Sequence, residues 1–93
     1  MSSTRHTVAL QFDDYDRLQK MGNGHAINGL RMLVRAMRQR FPDGVPDSHT
    51  RQLALKRWSF TLNEDDYQML RRYGRGNASR GVINLIREYT SLS

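Results

Sequence analysis

From Arg5 to Phe12 the chain alternates, with Val8, Leu10 and Phe12 on one side and Arg5, Thr7, Ala9 and Gln11 on the other. The alternation returns with Trp58, Phe60 and Leu62 against Arg57, Ser59, Thr61 and Asn63. A period of two in β-branched and aromatic residues predicts a strand with one buried face. A single strand has nothing to bond to, so the two are expected to pair as a two-stranded antiparallel ribbon. Each strand runs into acidic residues, Asp13-Asp14 and Glu64-Asp65-Asp66, which favour a helix start by opposing its dipole and accepting its free amides. Asn63 is a good N-cap for the second of these helices. Tyr15, Leu18 and Met21, and likewise Tyr67, Leu70 and Tyr73, give each short helix one apolar face. Both end at glycine pairs, Gly22-Asn23-Gly24 and Gly74-Arg75-Gly76, where glycine supplies the positive φ of a tight turn. A longer helix then begins near His25 or Asn77, with Leu30, Leu33, Val34 and Met37, or Val82, Leu85, Ile86 and Tyr89, facing inward.

These parallels are one relation. Shifted by 52 residues, positions 5–36 lie on 57–88 without a gap, and 12 of the 32 pairs are identical. The identities fall on glycines, apolar positions and helix starts, which marks a tandem duplication. The predicted fold is α+β and mostly helical, in the order β-α-α-linker-β-α-α. Residues 1–93 are expected to form a single domain, with repeats at 5–40 and 57–92 and a linker at 41–56. Neither repeat is long enough to bury a core alone, so the two are expected to share one. Pro42, Gly44 and Pro46 end the first long helix. A linker of about 15 residues reaches up to about 50 Å, enough to return the chain to a strand start. Residues 1–4 are expected to lie outside the fold, and residues 48–56 are a candidate for a further helical turn. The linker length favours a ribbon formed within one chain, with exchange of strands between two chains as the alternative.

Charge changes the picture most. Fifteen Lys and Arg against nine Asp and Glu leave a net +6, and 13 of the 15 cations are arginine, whose planar fork suits phosphate oxygens and base edges. That excess points to a polyanion, nucleic acid before an anionic membrane. No cysteine is present, so disulfides and thiolate metal sites are excluded. No apolar run approaches the length of a membrane span, and the N-terminus lacks the apolar segment of a signal peptide. A cytoplasmic location is expected.

The alternating strands ending in Leu10 and Leu62, the acidic short helices and the G-x-G-[HN]-A-x-x-G-[LV] turns together resemble the ribbon-helix-helix family of DNA-binding proteins, which includes the Arc and MetJ repressors. The likeness covers 5–40 and 57–92. Most members are homodimers that build one ribbon from two chains. This chain carries both halves, as the tandem relaxosome accessory proteins of conjugative plasmids (the TraY type) do. The resemblance implies a ribbon laid in the major groove of duplex DNA, acting as a transcriptional repressor or as a plasmid or phage nucleoprotein accessory factor in a bacterial or phage-infected cell. Self-association on adjacent sites would be compatible with this. Carried over residue by residue, the base readers are Arg5, Thr7, Ala9 and Gln11 on one strand and Arg57, Ser59, Thr61 and Asn63 on the other. Gln11 and Asn63 have the amide pair that matches adenine, while Ala9 and the Thr methyls suit thymine. Ala9 against Thr61 is the largest difference between the strands, so the footprint is expected to depart from a palindrome. The backbone phosphates would be held at the starts of the long helices by His25 and Ala26 in the first repeat. Asn77, Ala78 and Ser79, with Arg75 and Arg80, would do the same in the second. His25 departs from the usual small polar residue there, and Asn23 and Asn28 stand where Arg75 and Arg80 add charge, so the second clamp is expected to be the tighter.

Other chemistries fare worse. The acidic pairs recur at helix starts, which accounts for them without catalysis, and no enzymatic activity is expected. His6, His25 and His49 have no ligand spacing, and neither metal nor cofactor is expected. The Gly-x-Gly turns follow helices and lack the Lys-Ser/Thr of a phosphate loop. Trp58 and the tyrosines sit at apolar positions, and Arg17, Arg31, Arg35 and Arg38 read as a solvated helix face. Two other functions stay open. One is a plasmid- or phage-coded inhibitor that uses the same fold to bind a protein; only Thr90 to Ser93 follow Tyr89, which leaves little for the tail an antitoxin uses. The other, RNA or single-strand binding, lacks exposed aromatics on the ribbon for stacking.

Overall fold

The computed structural model describes residues 3–46 and 55–92. The elements run β1 (Ser3–Leu10), α1 (Phe12–Met21), α2 (Ala26–Arg40), β2 (Lys56–Asn63), α3 (Glu64–Tyr73) and α4 (Ala78–Leu92). The fold is thus α+β, four helices with one two-stranded antiparallel sheet. Corresponding elements match in length, eight residues per strand, ten per short helix and fifteen per long helix. The register places Thr7 opposite Ser59, the residue 52 positions on, with Arg5 opposite Thr61 and Ala9 opposite Arg57.

The inner row of the ribbon, Val8, Leu10, Phe60 and Leu62, is buried against Leu18, Leu30, Leu33, Val34, Leu70, Val82, Leu85 and Ile86. Each such side chain contributes about 1.5–3 kcal/mol on leaving water. Two stacks tie the halves crosswise. His6 of β1 lies flat on Tyr67 of α3, and Trp58 of β2 lies flat on Tyr15 of α1, both with ring centroids 3.6 Å apart. Aromatic pairs of this kind add about 0.5–1.5 kcal/mol each beyond their area.

Several boundaries differ from the sequence reading. β1 begins at Ser3, because β2 runs on to Asn63 and Leu62 and supplies partners for Ser3 and Thr4. It ends at Leu10. Phe12 opens α1 and, turned outward on the helix, is 67% exposed, so it belongs to no strand row. Lys56 belongs to β2, and the rest of the candidate helical turn at 48–56 lies outside the described residues except Leu55, which is in neither helix nor strand. Tyr89 is 40% exposed, where its counterpart Met37 is buried.

The first glycine of each turn also works differently from expectation. Gly22 and Gly74 have ordinary negative φ (−94° and −100°). The left-handed residues are Asn23 and Arg75, followed by Gly24 and Gly76. What Gly22 and Gly74 provide is clearance. A Cβ on Gly22 would overlap the carbonyl oxygen of His25, and one on Gly74 would overlap that of Asn77. Farther along, a Cβ on Gly29 or Gly81 would strike the carbonyl of Leu18 or Leu70. Short and long helix therefore touch backbone to backbone in each half. Gly81→Ala must push α4 off α3, and a loss of about 1–3 kcal/mol or more is expected in chemical denaturation. Gly24→Ala meets no neighbour and pays only for its φ of 101°, so it should cost less.

Polar groups finish the helix ends. The Asn63 side chain accepts the Asp66 amide at 2.8 Å, a cap worth about 1 kcal/mol, while Gln11 makes no such bond to α1. Asp14 is buried, and one of its carboxyl oxygens has no hydrogen-bond partner among the described residues. Burial pushes its carboxyl above the usual value, only partly offset by the Arg87 and Arg17 guanidinium groups. A carboxyl raised in this way favours the folded state while it is protonated, and that contribution is lost as pH climbs through its raised value. Asp14→Asn should accordingly show its most favourable change in melting temperature, relative to wild type, at neutral pH. The difference should shift against the variant as pH falls from neutral through the raised value, and level off once pH is below about 4.

Candidate nucleic-acid interface

Alternation places every second residue of the ribbon on the face turned from the core, about 6.7 Å apart along each strand. Arg5, Thr7, Arg57, Ser59 and Thr61 are exposed there and Ala9 is half-buried. The register sorts them into three rows across the ribbon: Arg5 with Thr61, Thr7 with Ser59, and Ala9 with Arg57. Two hydroxyls thus sit at the centre, with an arginine at each diagonal corner. The remaining corners differ, one a threonine and one an alanine. The face carries no carboxylate in these rows.

Gln11 and Asn63 stand apart from the rows. Gln11 lies beyond the end of β1, in extended backbone just before α1. Asn63 remains in β2 opposite Ser3, but its side-chain oxygen is engaged with the Asp66 amide. Bidentate recognition of adenine would need that oxygen turned outward, so Asn63 serves the helix start first. The capping signal and the reading signal were both present at this residue, and the structure uses the former.

Each long helix begins beside the strand of the other half. His25, Ala26 and Ile27 border Ser59 and Phe60 of β2 across a shallow cleft of about 220 Å³ that also includes Gly24. On the opposite edge the Ser79 hydroxyl accepts the Ala9 amide at 2.9 Å, fixing α4 to β1. As the acceptor in this bond the Ser79 hydroxyl keeps its own O–H as a donor, beside its backbone amide, for a ligand. At the start of α4 the Asn77 side-chain oxygen accepts the Arg80 amide at 3.2 Å and its carbonyl accepts the Gly81 amide at 3.0 Å. In α2 the His25 carbonyl receives both the Asn28 and Gly29 amides, and the His25 side chain caps nothing. The amides of Ala26 and Ile27, and of Ala78 and Ser79, are left as the first-turn donors of the two helices. Arg75 is exposed in its left-handed turn, whereas Arg80 is half-buried at the first turn of α4.

One residue of this surface escaped the sequence reading. Arg31, assigned there to a solvated face, is half-buried and donates to the Thr61 carbonyl at 3.4 Å. It brings a cation to the edge of β2, and the residue 52 positions on is the buried Ile83. That exchange of arginine for isoleucine was visible in the repeat comparison, but the approach to the strand edge was not. Arg17, from the same set, donates to the Thr90 hydroxyl at 3.0 Å, far from the ribbon.

Among the described residues, no cluster of His, Asp or Glu is placed to hold a metal ion, and no helix is long and apolar enough to cross a membrane. Comparison with family models, with curated proteins and with solved structures finds no match for this chain.

Proposed function

We propose that the chain is a tandem ribbon-helix-helix protein that binds duplex DNA sequence-specifically, with the outer face of the ribbon in the major groove. The supporting observation is the coincidence of two features on one surface, in a chain of strong positive charge. The rows Arg5–Thr61, Thr7–Ser59 and Ala9–Arg57 are polar and solvent-facing. A long-helix N-terminus lies along each edge of them. The whole chain carries +6. A major groove about 12 Å wide admits a two-stranded ribbon. The reading residues from Arg5 to Ala9 span about 13 Å, or about four base pairs. In this reading the central hydroxyls and the two arginines contact base edges. The amides at the starts of α2 and α4 take one phosphate each on opposite strands, positioning the ribbon without reading sequence. Arg31 adds a cation on the β2 side alone. A role as repressor or as a nucleoprotein accessory factor at a plasmid, phage or transfer origin follows from such binding.

Selection of duplexes from a randomised pool at about 150 mM salt, where nonspecific binding is suppressed, is expected to enrich a short asymmetric motif. Thr61→Ala gives both diagonal rows the pair Arg and Ala. It should lower affinity for that motif and move the selected site toward two-fold symmetry. Enrichment of nothing, with binding that fades smoothly as salt rises, would instead favour the inhibitor reading, in which the partner is a protein.

Phosphate contacts predict a different signature. Arg75→Asn keeps a residue that tolerates left-handed backbone, as Asn23 does in the first turn, and removes one charge. Affinity should fall alike for all sequences, and the slope of log affinity against log salt should become shallower by about one. A change in sequence preference would make Arg75 a base reader.

A further inference from the structure

We propose that the groove between α1 and α4 is a docking site for an extended segment of a protein partner, one that supplies an aromatic side chain with an acidic residue close behind it. The groove holds about 240 Å³ and is bordered by Arg17, Lys20, Met21, Ile86, Tyr89 and Thr90. Met21, Ile86 and Tyr89 make its wall apolar.

The other half of the molecule shows what such a groove takes. Tyr73, Val34 and Met37 stand 52 positions from Met21, Ile86 and Tyr89, and all three are at most 1% exposed. Tyr73 is the last residue of α3 as Met21 is of α1, but its ring is larger and its hydroxyl donates to the Phe41 carbonyl at 2.9 Å. Burial raises the Tyr73 phenol above its usual value and keeps it a donor. Phe41 packs against the core, and Val45, four residues on, is buried in it. The run Phe41-Pro42-Asp43-Gly44-Val45 is thus a covering segment, with its carboxylate exposed between two apolar anchors.

On the α1–α4 side Met21 stands where the other half has Tyr73, the groove is open, and Tyr89 is 40% exposed. Two cations stand near each: Arg38 and Arg72 beside Tyr73 on the covered side, Arg17 and Lys20 at the open one, where Lys20 also pairs with Asp16 at 3.0 Å; of these only Lys20 and Arg72 correspond in the repeat. An occupant with the same apolar and acidic character fits both the gap and the charge. The groove lies at the C-terminal turns of α4, about 15 Å along the helix from the end that touches β1, so its occupation leaves the ribbon free. The site is independent of the DNA reading.

The test uses the full chain without DNA and an end-blocked peptide, Phe-Pro-Asp-Gly-Val-Pro, followed by amide chemical shifts. Saturating shifts at Met21, Ile86, Tyr89 and Thr90 are expected, with Kd on the order of 1 mM for one buried ring on a short flexible peptide. A peptide with Ala in place of Phe should bind at least about tenfold more weakly. Tyr89→Asp should remove apolar wall, place a like charge against the acidic peptide and abolish the shifts, whereas Met21→Tyr, which supplies the hydroxyl that holds Phe41 in the other half, should retain or strengthen them. Absence of shifts at about 5 mM peptide would overturn the proposal. Shifts that survive Tyr89→Asp would do so as well, by placing the peptide elsewhere. The same shifts appearing with protein concentration alone would overturn it by making a second copy the occupant.

Discussion

Among the described residues each strand has only the other to bond to. A lone strand leaves a row of amides and carbonyls unpaired, and neither α1–α2 nor α3–α4 carries a second strand to satisfy them. Pairing β1 with β2 therefore comes first, and the rest of the architecture follows from it. Once paired, the ribbon has one apolar face, which only the long and short helices of both halves together can cover. The crosswise stacks of His6 on Tyr67 and Trp58 on Tyr15 express the same constraint, since each strand is closed over by the opposite half.

That arrangement also determines what is left for function. With one face committed to the core, period-two alternation leaves Arg5, Thr7, Ala9, Arg57, Ser59 and Thr61 no place but the outside. The bond from the Ala9 amide to Ser79 holds the beginning of α4 against the strand edge. The backbone contacts allowed by Gly22, Gly29, Gly74 and Gly81 set how closely each long helix lies on its short neighbour. The distance between the outer rows and the helix starts is thus fixed by the interior.

Most of the fold was legible in the chain because its periodicities are clean and occur twice. Val8, Leu10, Phe60 and Leu62 identified the buried face of the ribbon, and Leu18, Leu30, Leu33 and Val34 the buried faces of the helices, all confirmed by burial. What escaped depends on three-dimensional approach. Phe12 continued an alternating pattern that the helix start had already broken. Gly22 and Gly74 looked like residues chosen for backbone freedom and serve as spacers between two helices. Arg31 and Arg17 shared a helical spacing with other arginines but reach different neighbours, a strand carbonyl and a threonine hydroxyl. At Asn63 the residue type admits two uses of one polar atom, and composition cannot say which the fold takes.

The covalent joining of β1 and β2 has a consequence in mass action. A sheet assembled from two separate chains is held together only as far as their concentration allows, and dilution melts it. Here the strands meet within one molecule, at an effective concentration set by the connecting chain. The ribbon is therefore as complete in a single copy per cell as in a concentrated solution, and its folding equilibrium carries no concentration term.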